Sequence, residues 1–295
     1  TVGATASTKM SILTLGASNL RAFVGIGDAD SDDDDRVDDD SALAENGIGV
    51  PIGIDNLAVV LAKPIPVGAT PSTKSYFALS GSGSASLIGV DGVAIGGRVA
   101  IAINQGKDGA IKAPAIDFVA SAIANPDAWG GTGGLTVPTG PADSQFVVVD
   151  FSTSDLLKVS GYVTVSIADF LHLSGNFAFS KSGTPQTVNV GTTTKSVNVM
   201  TIGASDVNAF VGVGGPYFVD SNEDGVVDER DTPQADGAMG FVLRDLDFAL
   251  ALFKPTNPAV DRSSYYAVKA SGGAEVIGID GITIRANSLG VEING

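Results

Sequence analysis

The chain repeats itself across a long gap, and an acidic stretch falls at the same place in both copies. Residues 9–28 read KMSILTLGASNLRAFVGIGD and residues 195–215 read KSVNVMTIGASDVNAFVGVGG. Gly16, Ala17 and Ser18 match Gly203, Ala204 and Ser205, 187 positions later, and Ala22-Phe23-Val24-Gly25 match Ala209-Phe210-Val211-Gly212. Beyond each acidic stretch the match resumes. Lys63-Pro64 pairs with Lys254-Pro255, LIGVDGVAI (87–95) with VIGIDGITI (276–284), and IAIN (101–104) with VEIN (291–294). The chain therefore divides into a repeat copy A (1–106), an intervening segment B (107–187) and a second copy A′ (188–295). Units of this length come from long tandem arrays, so the chain is expected to be one cycle of a longer array or fibre.

Short alternating runs recur throughout: MSILTL (10–15), FVVVDF (146–151), YVTVSI (162–167), NFAFS (176–180) and VNVMTI (197–202). Alternation at period two predicts strands with one face buried. Of the 295 residues 44% are apolar but only 17% are charged, and 38 are glycine, a mixture that favours strands and tight turns over helices. Segment B carries an internal echo, SGYVTVS (160–166) and SGNFAFS (174–180), and related strings SGSASL (82–87) and SGGAEV (271–276) lie in the A copies. A Ser-Gly corner followed by a strand fits the coil of a β-solenoid, with glycine at a positive-φ corner; it also fits hairpins in a sandwich. The expected fold is all-β: an elongated β-solenoid-like or stacked β-sheet repeat, with tandem β-sandwiches as the alternative. One short helix is expected in APAIDFVASAIANPDAW (113–129), ended by Pro126. LAVVLA (57–62) and FALALF (248–253) read as fully buried strands.

The acidic stretch of A′, DSNEDGVVDERD, runs from Asp220 to Asp231. Side-chain oxygens fall at positions 1, 3, 5, 9 and 12 (Asp220, Asn222, Asp224, Asp228, Asp231). Gly225 sits at position 6, and Val226 at position 7 offers a backbone carbonyl. This is the spacing of an EF-hand-type calcium loop, with aspartate at position 12 as in the dockerin-type variant it resembles. A solvated Asp/Asn/Gly turn is the alternative. Copy A carries GDADSDDDDRVDDDS (27–41), with nine aspartates in 28–40. Asp30, Asp32, Asp34, Arg36 and Asp38 align with Asp220, Asn222, Asp224, Val226 and Asp228, and Asp28 lies just ahead of them. Asp35 replaces the glycine and Ser41 the last ligand. Nine carboxylates this close repel one another without counter-ions, so one or two calcium ions are expected here too.

Composition excludes several function classes. A net charge of −16 argues against nucleic acid, which needs a basic footprint. No apolar run approaches the roughly 18–20 residues of a membrane-spanning helix. Cysteine is absent, and with one histidine, His172, there is no serine triad or transition-metal set; G-x-S-x-G, Walker A and G-x-G-x-x-G strings are missing as well. His172, Trp129 and the Tyr265-Tyr266 pair read as structural or cross-strand packing residues. No enzymatic activity is expected.

The strings IGAS…AFVG, the Asp220–Asp231 loop, the Lys-Pro step and the IGxDGxxI…IN ending resemble a repeat of very large bacterial secreted or surface proteins of the adhesin kind. The resemblance implies an extracellular or cell-surface β-rich scaffold stiffened by calcium at Asp220, Asn222, Asp224, Asp228 and Asp231. The expected function is a structural repeat module or filament subunit whose partner is itself, as homopolymer or continuing repeats. An adhesin-like module holding a glycan or surface protein through calcium is the alternative.

Overall fold

In the computed structural model, residues 8–27, 47–66, 68, 71–151, 156–168, 170–183, 185–215, 217–222, 227, 231, 233–234 and 236–295 are described. In chain order the elements are β1 (Met10–Ile26), β2 (Ile48–Pro64), β3 (Lys74–Leu87), β4 (Val93–Asp108), β5 (Ile111–Ala113), α1 (Phe118–Ala124), α2 (Pro126–Trp129), β6 (Leu135–Pro138) and β7 (Phe146–Val149). They continue with β8 (Leu156–Ile167), β9 (Leu171–Ser182), β10 (Gln186–Val190), β11 (Thr193–Val213), β12 (Met239–Pro255), β13 (Tyr265–Ile277) and β14 (Ile284–Asn294). One antiparallel sheet follows the chain in the order β1-β2-β3-β4-β8-β9-β11-β12-β13-β14; β5 and β10 are short additions on β4 and β11. A separate hairpin joins β6 to β7.

The all-β expectation holds. No closed solenoid coil forms among the described residues, because successive strands pair antiparallel as a meander instead of stacking parallel across coils. The Ser-Gly strings explain the difference. Those of segment B are the two arms of one hairpin, with Gly161 opposite Phe177 and Thr164 opposite Ser174. Their glycines sit inside strands, where a Cβ on Gly161 would collide with the Arg98 carbonyl of β4. Close backbone approach, not a corner, demands glycine there.

Copies A and A′ each supply four consecutive strands, β1–β4 and β11–β14, and the β8–β9 hairpin of segment B joins them into the one sheet. Equivalent residues hold equivalent places. Asn19 and Asp206 both take a positive φ of 53°, an excursion Asn and Asp tolerate better than most residues. The AFVG string also acquires a reason. Gly212 faces Gly240 across β11 and β12, and a Cβ on either would lie 2.7 and 3.0 Å from the Phe210 ring. In copy A, Phe23 covers Gly25 and Gly49 in the same way. Phenylalanine lies on the glycine pair and restores the contact that two missing side chains remove.

The register sorts the residues onto two unlike faces. One row crosses all ten strands as Ala17, Leu57, Gly81, Ile101, Val159, Phe179, Ile202, Leu250, Val268 and Ile293. The adjacent row, on the opposite face, reads Ser18, Asn56, Ser82, Ala100, Ser160, Ala178, Gly203, Ala249, Lys269 and Glu292. The period-two alternation of the sequence thus makes an aliphatic face and a small, polar face.

Two excursions fold onto the polar face. Residues 113–151 return over copy A, where Phe118, Leu135, Val137 and Val149 pack on Ala58, Val60 and Ala78. A Cβ on Gly16 would collide with the Pro138 carbonyl, Ser18 Oγ donates to the Thr139 carbonyl, and the Asn104 amide donates to the Ile116 carbonyl at 2.8 Å. Helix formation in this segment matches expectation, split into α1, N-capped by Asp117, and α2, which begins at Pro126. A second cluster, Phe210, Tyr217, Ala238 and Val242, forms where the β11–β12 connection lies against A′. The position on A′ that matches the floor under 113–151 is uncovered: Ala249 is exposed where its equivalent Ala58 is buried. The runs 57–62 and 248–253 are accordingly not wholly buried. Their leucines on the aliphatic face keep solvent contact, and Leu61 is 46% exposed.

Candidate metal centre

Two described residues of the acidic connection of A′, Tyr217 and Val227, are held to the sheet. The Phe210 ring stacks between those of His172 and Tyr217, with centroids 6.2 and 6.1 Å away, and Tyr217 meets Phe218 edge-on at 4.9 Å. Arg244 of β12 donates to the Tyr217 hydroxyl and pairs with Glu275 of β13 at 2.6 Å. Farther along, the Val227 amide donates to the Tyr162 hydroxyl of β8 at 2.7 Å, and the Asn208 amide group donates to the Val227 carbonyl at 3.5 Å. Tyr217 thereby lies against β11 and β12, and Val227 against β8 and β11.

Three of the six sequence-predicted ligand positions in this connection are described: Asp220, Asn222 and Asp231. Asp231 Oδ1 accepts from the Ser221 amide at 2.9 Å, the Ser221 hydroxyl at 3.2 Å and the Asn222 amide at 3.4 Å. Position 12 is thus folded back onto positions 2 and 3, which brings its carboxylate beside Asn222 and one residue from Asp220. Oxygen donors alone suit a hard cation such as calcium. Asp224, Val226 and Asp228 lie outside the described residues, as do Asp28, Asp30, Asp32, Asp34, Arg36 and Asp38. Among the described residues no group of three or more His, Asp or Glu side chains gathers as a metal site.

His172 is a packing residue on β9; its Nδ1 lies 3.1 Å from Ser166 Oγ, and its ring stacks on Phe210. Trp129 packs edge-on against Phe118 at 5.7 Å. Tyr265 belongs to a polar cluster that sequence reasoning missed. Lys195 Nζ on β11 donates to Asp261 at 2.7 Å and to the Tyr265 hydroxyl at 2.6 Å, while Ser263 bonds to Asp261. No local motif announces it, because Lys195 is 66–70 residues from Asp261 and Tyr265 and meets them only through β11–β12–β13 pairing. It latches the 256–264 connection to the sheet.

The Lys195 hydrogen bond, followed by those from Ser263, holds the Asp261 carboxyl at about 2, below its ordinary 3.8. A carboxylate whose folded pKa is depressed contributes stability above its unfolded pKa and loses it as pH falls through the folded one. The latch is therefore expected to be intact above about pH 4 and to open toward pH 2. Carbon NMR of the Asp261 carboxyl checks this. A midpoint near 2 that moves up in Lys195→Met is the expected outcome; a midpoint near 4 in the unaltered chain contradicts the latch.

Compared with known proteins, the chain matches no family model, no curated protein and no solved structure. No helix among the described residues is long and apolar enough to cross a membrane.

Proposed function

We propose that this chain is a non-catalytic structural module of an extracellular or cell-surface fibre, extended head to tail and stiffened by calcium at its acidic connections. The observation that carries the reading is that two equivalent four-strand units already share one continuous meander. That path has an even number of strands, so β14 runs opposite to β1. A second copy placed beside β14 by translation therefore presents its β1 in the antiparallel sense the sheet already uses.

The edge strand β1 favours such addition. Leu15 on β1 is 63% exposed, whereas its equivalent Ile202, with a neighbour on each side, is 38% exposed. Val24 and its equivalent Val211 differ likewise, 64% against 37%. Strands that must stay solitary are usually broken by charge or proline, and from Met10 to Leu20 β1 carries neither. The stacked-sheet repeat architecture would then grow by edge addition.

Calcium would be held by Asp220, Asn222 and Asp231, with Asp224, Asp228 and the Val226 carbonyl completing the set. Copy A would offer Asp28, Asp30, Asp32, Asp34 and Asp38, and the Arg36 carbonyl. The ion would neutralise the carboxylates and lock the connection over β8, β11 and β12. Extracellular calcium at millimolar level saturates sites with dissociation constants of about 10⁻⁴–10⁻³ M.

Electron microscopy and thermal melts, with calcium or chelator, test the proposal. Filaments and a raised melting temperature in calcium are expected, with stabilisation of roughly 2.7 kcal/mol at a hundredfold excess over the dissociation constant. Asp231→Ala should remove much of the calcium response. Discrete particles under both conditions would sink the fibre reading in favour of an adhesin-like module, and a melt indifferent to calcium would sink the metal role.

A further inference from the structure

We infer that the aliphatic face of the sheet is an interface on which a second copy of this chain packs face to face, making a two-layer sandwich. The surface differs from the strand edges used for head-to-tail growth, and the inference stands apart from that proposal. Among the described residues, the two long excursions, 113–151 and the β11–β12 connection, fold onto the polar face. On the aliphatic face large side chains remain in solvent from end to end: Leu13 65%, Leu61 46%, Ile202 38% and Ile293 47% exposed.

Size and chemistry point to the occupant. Ten strands spaced by ~4.8 Å, with about twelve residues of ~3.3 Å rise, give a face of roughly 1,700 Å² per chain. That exceeds the largest apolar patch of a typical monomer, about 300–600 Å². Two such faces together reach the range of obligate dimers, about 2,000–5,000 Å². Arg98, Lys158, Arg244, Lys269, Glu275 and Arg285 share the polar face by register with Ser160, Tyr162, Ala249 and Val242, whereas Lys63, Lys107, Lys181 and Lys254 lie on the aliphatic face, gathered toward one end of its strands. A second copy related by a two-fold axis across the strands would set its own lysines at the opposite end, and the aliphatic remainder of the face matches a second such face in chemistry and area. Lipid fits less well, because β1 and β14 would bring unpaired edges into hydrocarbon. Twisted sheets of this kind pack about 10 Å apart with strands near −30°.

The chain has no cysteine, so single introduced thiols can map the interface. Leu157 and Val159 lie on the aliphatic face of β8 and Lys158 between them on the polar face. The test is the thiol reaction rate of Leu157→Cys, Val159→Cys and Lys158→Cys in the full chain, with sedimentation alongside and strand content checked by circular dichroism. Positions 157 and 159 are expected to react about tenfold or more slowly than 158 in dimeric material, and to approach it on dilution, as mass action requires. Val159→Lys, on the same face, should yield folded monomers. Equal reactivity at all three positions, monomeric wild-type chain, or protection that appears only with phosphatidylcholine vesicles overturns the inference. Filaments with reactive 157 and 159 would leave head-to-tail growth standing while removing the paired faces; protected dimers without filaments would do the reverse.

Discussion

Replacing Phe210 with alanine should destabilise the chain by about 3–5 kcal/mol and at the same time uncouple its acidic connection from the sheet. Phe210 is fully buried, stacks on both His172 and Tyr217, and lies over the Gly212–Gly240 pair. Truncation leaves a cavity that two glycines cannot fill, so little relaxation is available. It also removes the ring on which Tyr217 rests, and Tyr217 leads directly into Asp220. Calcium titration of the melting temperature in parent and variant reads both effects. The parent should respond to calcium and the variant much less, because part of the binding free energy must then reorder the connection. Phe23→Ala, at the matching place in copy A, should cost less, since Phe23 is only half-buried. A loss below about 1 kcal/mol at Phe210 would contradict the packing described here.

Phe118→Ala should cost a comparable ~3–5 kcal/mol but act on the other excursion alone. Phe118 is 1% exposed and meets Trp129 and Phe151 edge-on at 5.7 and 6.2 Å. Its amide also donates to the Phe151 carbonyl at 2.8 Å, tying the start of the 113–151 segment to its end. Trp129 is the one tryptophan of the chain, so its fluorescence reports on this cluster without background. A red-shifted emission and faster proteolysis within 113–151 are expected, with the calcium response unchanged because the second cluster shares no residue with the first. Loss of the calcium response together with the emission shift would show that the two clusters unfold as one.

Much of the strand content was legible from alternation alone, because period two is a local signal and β8, β9 and β11 carry it openly. The repeat was legible too, and it gave matching strands in matching order. The pairing of those strands was not. A Ser-Gly string before an alternating run reads the same at the corner of a coil and in mid-strand, and only the close approach of Arg98 to Gly161 distinguishes the two. The runs 57–62 and 248–253 misled for a related reason. Continuous apolarity there combines small residues turned to one face with leucines turned to the other, and it does not report a second layer. At the acidic connection, spacing suggested oxygen ligands, but the Asp231 bonds to Ser221 and Asn222, and the Val227 link to Tyr162 on β8, depend on partners no local pattern contains. The Lys195–Asp261–Tyr265 latch was invisible for the same reason.

The sheet path follows the chain without a crossover, each strand of the path beside the one that precedes it along the chain. Non-local strand pairing is slow because long loops must close before any contact rewards them. Here the long closures are few, at the two acidic connections and at the 113–151 excursion, while the remaining turns are short. A polypeptide of this kind can zip up strand by strand as it leaves the ribosome, each new strand using the last as its template. At every moment it also leaves one raw edge exposed, and the next strand of the same chain is the first that can cover it.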